Sequence, residues 1–187
     1  MNALQELCTH KTAIRIGKFR DLDGRVEAMS RVGMPISTLR EMFPDRFIAL
    51  EAWEGNVLCN LGIQVLWYNS TTCGGGTDTT AGLFTNALAV IVVGTATPGV
   101  AAANVYGAFT SPVKLSMDST YPKLINGIYT QIAFHGTAGS AVANQVWAQY
   151  AVANADATPV LLNYLEAAKG TKASGETWTM EIDITIS

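Results

Sequence analysis

Charge is scarce in this chain. Of its 187 residues, 14% are Asp, Glu, Lys or Arg, and the formal net charge is −3, where an average soluble domain carries roughly 25%. That balance argues against a basic nucleic-acid-binding surface. Disorder is argued against as well, because 49% of the residues are hydrophobic and a disordered chain combines low hydrophobicity with high charge. Cysteine and histidine are few. Cys8, Cys59 and Cys73 cannot all pair within one chain, and without a secretion signal they read as reduced thiols. His10 and His135 are the two histidines. Long apolar runs are missing too. The N-terminal stretch has no segment of signal-peptide character. Leu83 to Val93, the most apolar stretch, is interrupted by Thr85 and Asn86 and falls well short of the about 20 residues of a membrane span.

Charge is also unevenly placed. Residues 1–54 hold 16 charged side chains, whereas residues 55–187 hold 11, and no arginine follows Arg46. The chain therefore divides into a charged N-terminal segment, 1–54, and a body, 55–187. The surface of the body must be covered largely by Thr, Ala, Asn, Ser and Gly; 17 Thr and 20 Ala fall from Gly55 onward.

Within the body the hydrophobic period is two. Val57 to Trp67 places Val57, Cys59, Leu61, Ile63, Val65 and Trp67 on one side, the pattern of a half-buried strand. Asn69 to Thr80, which includes Gly74, Gly75 and Gly76, reads as a loop. Strands are expected at 88–93, 113–117, 128–135 and 146–152, with 103–109 a further flanking segment. Pro159 to Tyr164 reads as a strand, or Leu161 to Lys169 as a short helix ending at Gly170. The clearest strand is Glu176 to Ile186, with Trp178, Met180, Ile182, Ile184 and Ile186 on one face. Many short strands without βαβ units indicate a mainly β fold: an antiparallel β-sandwich, jelly-roll-like.

Residues 1–54 read as an extended, partly helical arm. Thr38 and Glu41 have capping-box spacing for a short helix ended by Pro44, and Phe47 to Trp53 reads as a second short helix.

Catalytic and cofactor signals are thin. Cys8 and His10 lack a second ligand pair for zinc. Asp21, Asp23 and Gly24 lack the rest of a calcium loop and read as a turn. The glycines at 74–76 are not followed by the Lys-Ser/Thr of a phosphate loop. His135 and Ser140 do not form a nucleophile elbow, since Ala138 and Val142 occupy the glycine positions; an enzyme would need His135 joined to an acid such as Asp118 or Asp156. His135 is expected at a strand end, facing solvent or a neighbouring chain. Asn69-Ser70-Thr71 is a sequon without a secretory route. No catalytic, cofactor or metal residue is assigned.

A weakly charged, open-edged sandwich favours association with copies of itself, in a symmetric assembly. The arginines of the charged segment, Arg15, Arg20, Arg25, Arg31, Arg40 and Arg46, together with Trp147 on a strand face of its own, are the expected contact residues.

The charged segment, the Thr/Ala/Gly-rich body and the terminal strand Glu176 to Ser187 resemble a structural protein of a tailed-bacteriophage virion, most similar to capsid cement (decoration) proteins. That resemblance implies a jelly-roll-like, non-enzymatic subunit made in the host cytoplasm and carried in the virion. It implies binding to the major capsid protein or other virion proteins and to its own copies, with no nucleic-acid, membrane or cofactor partner. The alternatives are a tail or neck subunit, or a host-receptor or carbohydrate-binding module using exposed aromatic side chains.

Overall fold

The computed structural model describes residues 10–55, 58–59, 62, 84–96, 99–101, 103–125, 128–155 and 159–186, leaving aside the side chains of 128–130. The expected strand at 57–67 falls largely outside these residues, and so do the loop 69–80, Asn69 and Asp156.

Two antiparallel sheets pack face to face. The first has five strands, β1 (His10–Arg20), β2 (Phe47–Gly55), β5 (Lys123–Ile125), β6 (Ile128–Ala138) and β9 (Glu176–Ile186), in the order β2-β1-β9-β6-β5. The second has four, β3 (Ala89–Gly94), β4 (Val113–Ser116), β7 (Gln149–Asn154) and β8 (Leu165–Glu166), in the order β4-β3-β7-β8. The sandwich read from the period-two pattern is present, and β9 has the bounds that its alternation marks. Two short helices, α1 (Arg25–Arg31) and α2 (Ile36–Met42), lie between β1 and β2 in the chain.

Alternation explains which side chains meet. Ile14 and Ile16 of β1, Phe134 of β6 and Trp178, Met180, Ile182 and Ile184 of β9 face inward, against Ile91 and Val93 of β3 and Tyr150 and Val152 of β7. Successive side chains of a strand point to opposite faces, so the second sheet also has an outer face. There Val90, Val92, Ala151 and Ala153 are covered by Cys59, Phe109, Leu161 and Tyr164. Strands β3 and β7 are thus buried throughout, which accounts for the unbroken apolar run of β3 and the apolar centre of β7 between Gln149 and Asn154.

Five expectations are corrected. Residues 10–55 are not an arm beside the body, because β1 lies between β2 and β9 and pairs with β9 along its whole length, from His10 opposite Ile186 to Arg20 opposite Glu176. Their charges find partners inside the fold, such as Lys11 with Glu54 at 2.6 Å and Arg15 with Glu181 at 2.8 Å. Phe47 to Trp53 is strand β2, not a helix, with Ile48, Leu50, Ala52 and Glu54 alternating outward. Thr38 is not an N-cap, since α2 begins at Ile36. The 103–109 segment contains a 3₁₀ turn at Tyr106–Ala108, and 161–169 forms bridges and the two-residue β8 in place of a helix.

Ile182 is fully buried at the centre of the sandwich core. Truncating it to alanine removes contacts that the surroundings replace incompletely, so Ile182→Ala is expected to cost about 2–5 kcal/mol, read from the urea midpoint at unchanged slope.

Candidate functional site

The outer face of the five-stranded sheet holds most of the polar groups that the core excludes. One half of that face is covered by the helices. Phe19 packs with Val26, Leu39 and Phe43. Gly17 lets Ile36 sit directly on β1: a Cβ there would lie 2.7 Å from Ile36 Cγ2.

Neither helix has a side-chain cap at its own N-cap residue, Gly24 or Pro35. Buried acids supply the acceptors. Asp21 accepts the Val26 N–H at 3.1 Å and the Glu27 N–H at 2.9 Å, and Thr177 of β9 donates to it at 2.9 Å. Glu181 of β9 accepts the Ile36 N–H at 2.8 Å. These are the orphan amides at a helix start, satisfied for α2 by a residue 145 positions away in the chain. The turn expected at Asp23-Gly24 is present, with Gly24 at φ 72, and Arg46 holds the Asp23 carboxyl well below the usual carboxylate range by hydrogen bonding.

A third buried acid orders a row of hydroxyls. Asp118 lies 2.8 Å from Nδ1 of His135 and accepts from Thr137 Oγ1. With the Thr137 hydrogen committed to Asp118, Ser30 donates to Thr137 at 2.6 Å and Thr179 donates to Ser30 at 2.8 Å. The row runs from β9 through α1 to β6 and ends on a carboxylate that also faces Arg31 at 3.5 Å.

His135 is therefore not at a solvent-facing strand end. It is fully buried beneath Tyr121, whose ring stacks on it at 4.7 Å between centroids. Its Nε2 has no hydrogen-bond partner among the described residues. The histidine and an acid do meet, and among the described residues no hydroxyl bonds Nε2. What the His135–Asp118 pair does in this arrangement is fix β6 to the 117–121 turn and to α1.

The helices stop short of the other half of the face. An open cleft of about 410 Å³ remains there, lined by Arg15, Pro35, Tyr121, Lys123, Ala133 and Asp183. Arg15 bridges Glu181 and Asp183 across its floor. Burial raises the Asp183 carboxyl above the usual range, with Arg15 opposing and Glu181 adding to the effect. On the far side of Pro35 a second groove of about 290 Å³ runs between α2 and β2, lined by Ile36, Ser37, Arg40 and Leu50 as well as Arg15. The cleft is almost charge-balanced, so it offers hydrogen-bonding contact without a strong field for one sign of ligand.

The expected contact residues separate into three kinds. Arg15, Arg31 and Arg46 are held in ion pairs within the chain. Arg25 and Arg40 lie over the rings of Phe43 and Phe47 at 5.9 and 5.0 Å, and Arg20 is exposed at the end of β1. Trp147 is not a surface residue. It is fully buried, 5.0 Å from the Trp178 ring, with its indole N–H donated to Ala143 O at 3.0 Å. The face opposite Val146 and Ala148 is thus covered by the chain itself. Sequence reasoning missed the anchoring roles of Asp21, Asp118 and Glu181. For Asp118 and Glu181 the surrounding apolar, Ser and Thr residues were the available signal, whereas Asp21, beside Arg20 and Asp23, carried none.

Other groups are structural. Burial pushes the Cys59 thiol up to about 12, which leaves it without thiolate character at neutral pH. Among the described residues no three of His, Cys, Asp and Glu are placed to hold a metal ion, and no helix is long and apolar enough to cross a membrane. No family model, curated protein or solved structure matches this chain.

Two measurements test this account. Asp118→Asn turns an amide N–H₂ toward the donors of Thr137 and His135, and is expected to cost about 2 kcal/mol in urea unfolding; Glu41→Gln on the exposed face of α2 should stay within about 0.5 kcal/mol. Lys172 is buried, donates to Asn144 at 2.8 Å, and is lowered by burial to about 8 from 10.5. The folded state thus binds this proton less tightly than the unfolded state, so stability should rise with pH between about 8 and 10.5. Lys172→Met should remove that component of the pH profile.

Proposed function

We propose that this chain is a non-enzymatic structural subunit of a virion, of the capsid-cement kind, which binds a shell of major capsid protein and further copies of itself. The observation that carries the reading is a sheet edge with which no described residue pairs. Strand β2 has one neighbour, β1, among the described residues. Its outward side chains Ile48 and Leu50 are 46% and 43% exposed. A long apolar edge of this kind is a template for pairing with another chain, and a surface with few charges opposes such contact weakly.

The disposition of the other groups agrees with a subunit that works by contact. Most cations of the first 54 residues are spent on ion pairs and ring contacts within the fold, and the side chains of the His135–Asp118 pair are fully buried. Of the aromatic side chains a glycan platform would use, Trp147, Tyr150, Tyr164 and Trp178 are buried, which favours the contact reading over the carbohydrate-binding one. A tail or neck position would use the same edge and differs in the neighbour it meets.

A cement subunit acts by mass action: it binds the assembled shell better than free capsid subunits and stabilises the assembly by that difference. Sedimentation velocity on the pure protein should give a mass that is a multiple of 19.9 kDa. Co-sedimentation with expanded shells of the major capsid protein encoded in the same genome should retain it in the pellet. A stable monomer that stays in the supernatant overturns the reading.

A further inference from the structure

We propose that β2 pairs with β2 of a second copy, antiparallel about a two-fold axis through Leu50, so that two five-stranded sheets become one sheet of ten strands. This rests on the self-association read above and names the surface that makes it.

The choice of edge follows from strand length. The other edge strands are β5 with three residues, β4 with four and β8 with two, against nine for β2. Short edges offer little to a partner, whereas β2 has the length and contains no proline. The β1–β2 pairing is regular from Ala49 to Gly55, and its one bulge falls at Ile48, which opposes no residue of β1 and keeps its side chain outward.

The register follows from the sequence of the strand. In a two-fold antiparallel pair, facing residue numbers add to a constant, and an even constant keeps both outer faces on the same side, because directly opposed side chains share a face. Pairing centred on Leu50 sets Leu50 against itself, Ile48 against Ala52, and Arg46 against Glu54. On the inward side it sets Phe47 against Trp53 and Ala49 against Glu51. Each exposed apolar residue then meets an apolar one. At each end the charges alternate in sign: Asp23, bound to Arg46 at 2.9 Å within one copy, then Glu54 of the second copy, bound to Lys11 of that copy at 2.6 Å. A centre at Glu51 would oppose two carboxylates and put Ile48 against Glu54, and like charges directly opposite destabilise a sheet. A centre at Ala49 would shorten the overlap within β2 and leave Glu54 outside it.

The partner is a second copy because the strand is complementary to itself in both charge and shape. The groove between α2 and β2, lined by Ile36, Arg40 and Leu50, would be bounded by its symmetry mate across the axis.

Cysteine cross-linking tests the register. In full-length protein carrying Cys8→Ser and Cys73→Ser, with Cys59 left buried, Leu50→Cys should oxidise to a covalent dimer. Ile48→Cys alone and Ala52→Cys alone should each cross-link at least tenfold less, because four residues of strand separate each from its own mate, about 13 Å. An equal mixture of the last two should restore the dimer. A second variant, Leu50→Lys, should leave the circular-dichroism spectrum unchanged, since Leu50 is 43% exposed, and should weaken dimerisation at least tenfold. If the wild type self-associates but Ile48→Cys cross-links as readily as Leu50→Cys, or Leu50→Lys leaves the mass unchanged, this pairing is wrong and the broader reading stands. A monomeric wild type removes both.

Discussion

Three carboxylates with little or no access to water, Asp21, Asp118 and Glu181, join the helical segment to the sheet, and the outer face of the molecule depends on them. Each accepts from backbone amides or side chains of separate elements: Asp21 from α1 and β9, Asp118 from β6 and from Arg31 of α1, Glu181 from α2 and from Arg15 of β1. A buried charge is costly unless hydrogen-bonded, so the fold that satisfies all three at once is strongly preferred over registers that satisfy fewer. Their contribution is to specificity as much as to stability, since a buried ion pair by itself gains little over an apolar replacement. Bulk stabilisation comes from the inward faces, where Ile14, Ile16, Ile182 and Ile184 meet Ile91 and Val152.

This arrangement gives the uneven distribution of charge a structural meaning. The charges of the first 54 residues, eight basic and eight acidic, tie them to a sparsely charged body, and the acids that tie them come from both parts. Arg15 reaches Glu181 and Asp183. Lys18 donates to Lys169 O at 2.7 Å and lies over the Trp178 ring at 4.3 Å. Charge in this molecule thus marks the seam between two segments of chain more than it marks an exposed surface.

The elements with an unbroken alternation, Glu176 to Ile186 and Ile128 to His135, and the continuous apolar run of which Ala89 to Val93 lie in β3, were legible from sequence. The same rule applies to His10 to Arg20, where Thr12, Ile14 and Ile16 alternate with Lys11, Ala13 and Arg15, but the charged residues there suggested an extended arm that packs on a partner. Their partners are more than 160 residues distant in the case of Arg15, and no local pattern carries that information. Trp147 was misplaced for a related reason. Alternation tells which residues share a face, but not that the chain supplies its own cover for both faces. The burial of His135 follows from the 117–121 turn folding over β6, a tertiary contact with no sequence period.

The clamp and the open edge are coupled through β1. Gly17 is paired with Leu50 on one side and Thr179 on the other, and it is also the point where Ile36 of α2 rests on the sheet. A shift of α2 off Gly17 would free the Ile36 N–H from Glu181 and change how β1 presents β2 to solvent, while Arg15 would keep both acids, which lie on the neighbouring strand β9. Arg46 extends the same link, since it bonds Asp23 beside α1 and leads directly into β2. Interior side chains of close-packed proteins transmit such displacements because there is little free volume to absorb them. The outer edge of the sheet therefore keeps a defined twist and register as long as the carboxylates hold the helices. A defined edge is what strand-to-strand pairing requires, because a slip of one residue would exchange the outward Ile48 and Leu50 for the inward Ala49 and Glu51.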